Sequence, residues 1–228
     1  MGVRVCRWGL ALACVAVASS ARAEPPQVES RAAPKAPEHH GFYLRVGNGF
    51  AAYDERLVSE HAAAGETHGR NRGLALVAEL ALGSSIGRGW VLGGGIYSAD
   101  LLASTYRTKT VAPPLELDPG LRNLALIAPF LDYAVQSVPG VHLQMALGLA
   151  TLTPRVFGDA ATSVSEYLAV GGGLMFGGGY EWDLSESWRI GILSRTTFSV
   201  LAGRDESRAS WLHVVVTSPA LLLTLTYQ

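Results

Sequence analysis

The sequence predicts an all-β chain: an eight-stranded antiparallel up-and-down transmembrane β-barrel, preceded by a signal peptide and a disordered linker. Three observations predict it. From residue 41 onward the apolar residues recur with a period of two. The candidate strands are longer than those of soluble sheets. The connections between them alternate between short turns and long polar stretches.

Residues 1–23 read as the signal peptide. Arg4 and Arg7 form a short positive segment, and Trp8 to Ala18 is an apolar run too short to span a bilayer as a helix. Ala21-Arg22-Ala23 places small residues where a signal peptidase reads them, so cleavage is expected after Ala23 and the processed chain should begin at Glu24. Both cysteines, Cys6 and Cys14, fall within this segment. The exported chain is therefore expected to have no disulfide, thiolate nucleophile or cysteine metal site. Cleavage also removes three arginines, taking 18 basic and 19 acidic residues to 15 and 19, a net charge near −4. That balance gives no basic footprint for nucleic acid. Residues 24–40 are rich in Pro, Ala and charge and read as a disordered periplasmic linker. Residues 41–228 remain as the single barrel domain.

Within 141–150, Val141, Leu143, Met145, Leu147 and Leu149 share one face, and His142, Gln144, Ala146, Gly148 and Ala150 the other. The same alternation runs through 74–83 and through the C-terminal Leu221, Leu223, Leu225 and Tyr227. Strands are expected at about 41–53, 72–84, 88–101, 121–136, 140–153, 167–182, 187–201 and 211–227. Each exceeds the roughly 9–11 residues a tilted strand needs to cross a bilayer, whereas soluble strands average about 5–6. Short turns join strands 2–3, 4–5 and 6–7; longer polar stretches, including 54–71 and 102–120, join the others. Short periplasmic turns and long external loops are the asymmetry of transmembrane barrels. Pro129 and Pro219 fall inside strands 4 and 8, where a missing N–H breaks the ladder, and are read as bulges or strand ends.

The aliphatic face is assigned to lipid. The opposite face is mostly Gly and Ala with about one charge per strand, too small and too uncharged for a water-exposed exterior. It suits the crowded interior of a narrow barrel, and only a closed barrel leaves no strand edge in hydrocarbon. Phe42, Tyr53, Trp90, Tyr180, Trp182, Trp188, Trp211 and Tyr227 lie near strand ends, where interfacial aromatic girdles form.

The segments "GFYLRVGNGF", "FLDYAVQSVPGVHLQMALGLA", "GGGYEWDLSESWRIGILSRTTF" and "LLLTLTYQ" resemble the small outer-membrane barrels of the OmpA/OmpW type over residues 41–228. The resemblance implies residence in the outer membrane, with its bilayer and the barrel-assembly machinery as partners. Tyr227 stands next to the end, where such barrels often carry a final aromatic residue.

The inward phase collects Arg45, Glu79, Asp132, His142, Glu181, Arg189 and Arg195. These are read as a structural lumen cluster, because an isolated buried charge is costly and must pair. Arg195 is expected to bond at least one of Glu79, Asp132 and Glu181. No catalytic, cofactor-binding or metal residue is assigned. Asp132 and His142 flank one turn, but no serine in a nucleophile context accompanies them, no G-x-S-x-G occurs, and His213 and Ser218 lack the spacing of lipid A deacylases. His39, His40, His61 and His68 read as solvated, and "GRGWVLGGG" lacks the strand-to-helix setting of a nucleotide loop. The expected function is non-enzymatic: structural, or interacting with an extracellular ligand through the external loops. The alternatives are a narrow channel for small or hydrophobic solutes and, last, a lipid-modifying enzyme.

Overall fold

The computed structural model describes residues 41–61, 65–109, 122–154, 168–205 and 210–228. The expected signal peptide and linker lie outside them, as do His39 and His40. Eight strands are described: β1 (Phe42–His61), β2 (Gly65–Gly87), β3 (Trp90–Lys109), β4 (Arg122–Ala134), β5 (Val141–Pro154), β6 (Ala169–Asp183), β7 (Trp188–Asp205) and β8 (Ser210–Tyr227). Each pairs antiparallel with its sequence neighbour, and β8 pairs with β1 to close the barrel.

The register fixes the geometry. One circuit from Gly47 passes through Glu79, Tyr97, Leu126, Ala150, Gly171, Leu201 and Val214 and returns to β1 at Leu57, ten residues further along. That stagger tilts the strands, typically by about 35–45°, and leaves an interior just wide enough for side chains.

The period of two sorts the side chains as the composition requires. Leu143, Met145, Leu147 and Leu149 point out, as do Leu74, Leu80, Leu82, Leu221 and Leu223. His142, Gln144, Ala146, Ala150, Ala75, Val77, Glu79 and Ala81 are buried inside. A wide apolar exterior around a partly polar interior is stable only in lipid, so the barrel spans a bilayer.

Phe42 and Tyr227, Trp90 and Tyr133, Tyr180 and Trp182, and Trp188 and Tyr227 form ring pairs at 4.4–6.3 Å. All sit at the end holding both termini of the barrel, where the links between strands are short. The β2–β3 link is a tight turn with positive φ at Arg88 (53°) and Gly89 (79°), the backbone twist a two-residue hairpin demands. This end is periplasmic by the short-turn rule.

Four expectations need correction. Residues 54–71 are not a long loop: β1 runs to His61 and β2 resumes at Gly65 in unbroken register. Once the ladder is established in lipid it continues above it, supported by ion pairs from Arg70 and Arg72 to Asp54. β7 likewise runs to Asp205, leaving 206–209 before β8. Tyr53 is not a girdle residue; it lies in the inward phase, buried at 2% exposure. Pro129 and Pro219 are neither bulges nor strand ends. The pairing with β5 skips 128–129 and that with β1 skips 218–219, without any change of register. Bulges occur instead between β2 and β3, where Leu102 is the extra residue opposite Leu74/Ala75 and the register also shifts at Ser85/Gly87.

Candidate functional site

The lumen of the periplasmic half is crossed by a chain of hydrogen bonds and close charge contacts. Arg45 enters from β1 with no exposed surface. Its Nε donates to Glu79 Oε1 on β2 (2.6 Å) and its Nη1 to Asp132 Oδ2 on β4 (2.8 Å). Arg195, on β7, donates from Nη1 to the other oxygen of Glu79 (2.5 Å) and from Nη2 to the carbonyl of Ala78 (3.4 Å). His142 Nδ1 lies 3.2 Å from Asp132 Oδ2, and its Nε2 lies 3.9 Å from Glu181 Oε1. Glu181 is held by Thr226, whose hydroxyl donates to Oε1 (2.6 Å).

Local structure explains why these groups meet. Gly47, Gly177, Gly179 and Gly191 stand on the inward faces beside them. A Cβ on Gly47 would lie 2.9 Å from Glu79 Cγ, and one on Gly179 would lie 2.5 Å from His142 Nε2. The long charged side chains thus extend over bare backbone. The guanidiniums lie over aromatic rings, Arg45 5.8 Å from the Tyr43 centroid and Arg195 5.3 Å from that of Tyr97.

Of the seven charges expected in the lumen, the structure brings six together: Arg45, Glu79, Asp132, His142, Glu181 and Arg195. Arg189 does not join them. It shares their phase but sits at the periplasmic mouth, donating to Asp183 Oδ1 (2.7 Å) and Gln228 Oε1 (2.9 Å). Arg195 bonds Glu79 and neither Asp132 nor Glu181. Chemically the arrangement ties strands together: β1 to β2 and β4, β7 to β2, and β5 to β4. Two guanidiniums face three carboxylates and one imidazole there.

The barrel is closed and eight-stranded, apolar outside and crossed by buried ion pairs inside. No protein-family model and no curated protein matches the chain. Its fold does match solved structures. The crystal structure of Neisserial surface protein A superposes with a TM-score of 0.50 at 12% identity, covering 82% of this chain and 96% of that one. The crystal structure of the outer membrane protein OprG from Pseudomonas aeruginosa gives 0.53 at 14% identity, covering 83% and 97%. The chain has the fold of the small outer-membrane β-barrels. At these identities the likeness is one of fold alone.

The barrel's external half holds a second polar group that sequence reasoning missed. Glu55 on β1 accepts from Tyr53 OH (3.2 Å) and from Arg122 Nη1 on β4, and Asn71 on β2 is buried at the same end. The signal was available: Arg45, Tyr53 and Glu55 share one parity, and so do Arg122 and Asp132. Between the two polar groups lies a layer of small residues, including Ala51, Ala75, Ala99, Ala150 and Ala220. A small cavity opens there, beside Arg195, Thr197 and Ser218. Tyr97, which lines it, accepts a hydrogen bond from Gln144 at its hydroxyl (3.3 Å). His68 is exposed on β2. Among the described residues no three His, Cys, Asp or Glu side chains are placed to hold a metal ion.

Proposed function

We propose that this outer-membrane barrel is a closed, non-enzymatic scaffold that acts through its external end. The observation that carries the reading is the Arg45–Glu79–Arg195 linkage, which spans the lumen with side chains that have almost no exposed surface. A solute path through the barrel would have to break it, and each break leaves a desolvated charge. The non-enzymatic part rests on the sequence, where no serine in a nucleophile context accompanies Asp132 and His142. Besides the bilayer, the expected partners are the barrel-assembly machinery during insertion and an extracellular ligand at the external connections.

Planar-bilayer recording tests this directly: the wild-type protein should show no unitary current steps. One observation favours the channel alternative, namely the small-residue layer with its cavity. In that reading the Glu79–Arg195 pair is a gate, and regular wild-type current steps would put the channel first. The enzyme alternative is tested by mass spectra of lipid A from cells with and without the gene product, where acyl-chain loss dependent on the protein would revive it.

A further inference from the structure

Above the apolar band, on the outward face of β1, β2 and β3, three arginines stand abreast. Arg56 pairs directly with Arg70 across β1–β2, and Arg70 pairs directly with Arg107 across β2–β3. Arg72 follows two residues below Arg70 on the same face of β2. Arg56 and Arg107 are exposed, the side chains of Arg70 and Arg72 are 37% and 58% exposed, and lower on that face come Leu74, two residues below Arg72, Leu102 on β3 and, further down, Phe50 on β1.

The charges do not balance. Asp54 is the one acceptor recorded for this rank: Arg70 Nε donates to Oδ1 (2.9 Å) and Arg72 Nε to Oδ2 (3.2 Å). Arg56 and Arg107 make no ion pair among the described residues. Among the described side chains, four guanidiniums thus meet one carboxylate. Like charges directly opposite each other on neighbouring strands destabilise a sheet, so this rank works against the hairpin that carries it unless an anion lies across it.

Position selects the anion. The rank lies at the end opposite the aromatic girdle, immediately above lipid-facing leucine and phenylalanine, and points away from the barrel. Trp211 of β8 is exposed further out, four residues beyond Val215, the partner of Arg56. A ligand here has its charged part against guanidiniums and its apolar part against Phe50, Leu74 and Leu102. Guanidinium forks match phosphate oxygens in paired hydrogen bonds. We infer that the Arg56–Arg70–Arg107 rank binds the phosphorylated headgroup of a lipid in the outer leaflet, with its acyl chains on the apolar band below.

The test uses the full protein in phosphatidylcholine nanodiscs containing a minor share of bisphosphorylated lipid A or of its dephosphorylated form, with retained lipid read by native mass spectrometry. Wild type should retain the phosphorylated lipid in preference. Arg56→Gln/Arg107→Gln leaves the Asp54 ion pairs intact and should weaken that retention about thirtyfold, from about 1 kcal/mol for each arginine facing an anionic surface. Equal retention of both lipids, or no loss in the variant, overturns the inference. Release of the lipid by millimolar inorganic phosphate would mean a site for a free anion, which also overturns it. Should the variant not fold, wild type still decides: raising the salt concentration should lower retention of the phosphorylated lipid and leave the dephosphorylated one unchanged.

Discussion

Replacing Glu79 with alanine removes the carboxylate that two guanidiniums share. Its Oε1 accepts from Arg45 at 2.6 Å and its Oε2 from Arg195 at 2.5 Å, and none of the three side chains is more than 2% exposed. After Glu79→Ala, Arg45 keeps Asp132, but Arg195 keeps only its 3.4 Å contact with the Ala78 carbonyl and its place over the Tyr97 ring. The loss should approach that of stranding a buried charge, about 3–5 kcal/mol. Arg195→Ala is milder, because Glu79 still receives Arg45; losing a hydrogen bond to a charged group costs about 1.5–3 kcal/mol. The double variant removes both charges and should lose less than the sum, with a coupling of at least about 1 kcal/mol. Urea unfolding of the protein in lipid vesicles, with the folded band of unboiled gels as a second readout, gives all four corners of the cycle. Additive losses, or Arg195→Ala costing as much as Glu79→Ala, would refute the idea that Glu79 is the hub.

Met145 sits further from the girdle than Leu143, which pairs with Tyr133; in the same assay Met145→Arg should cost about 2–4 kcal/mol and Leu143→Arg less, following depth in the bilayer. The neighbouring Gly93 and Gly94 should respond in opposite directions. A Cβ on Gly93 would lie 2.1 Å from the Leu82 carbonyl oxygen and 2.7 Å from Phe130 Cε1, so Gly93→Ala should cost about 1–3 kcal/mol. A Cβ on Gly94 meets nothing within 4 Å, so Gly94→Ala should gain about 0.4–1 kcal/mol, and equal effects at the two sites would contradict the face assignment. Brominated lipids should quench Trp90, Trp182 and Trp188, all on the outer face of the girdle, when each is kept as the sole tryptophan.

The fold was legible because lipid imposes a simple rule on sequence. Every outward residue from Val141 to Leu149 must be apolar, and every inward one must be small or paired. Parity alone therefore placed Arg45, Glu79, Asp132, His142, Glu181 and Arg195 in one lumen. It failed where the rule lapses. Above the bilayer the outward face of β1 and β2 is free to carry Asp54, Arg56, Arg70 and Arg72, so the strands continue while their pattern looks like a loop. Glu55 and Arg122 were hidden for the same reason, although their parity agreed with the charges below. Arg189 and Tyr53 show the converse limit: parity gives the face of a residue but not its height, so one inward arginine reached the mouth and one strand-end tyrosine turned inside. The partners within the cluster could not be read either, because tilt and stagger decide which inward residues meet.

The central claim is that the aliphatic face meets lipid while the opposite face seals a dry lumen. A spin label placed in turn at each residue from 141 to 150, in the folded protein in lipid vesicles, tests it most directly. Collision with oxygen, which partitions into lipid, should peak at 141, 143, 145, 147 and 149. Positions 142, 144, 146 and 150 should be shielded from both oxygen and a water-soluble nickel complex. Nickel reaching 142 and 144 would mean a wet, open lumen, and oxygen maxima at the even positions would mean the barrel is inside out.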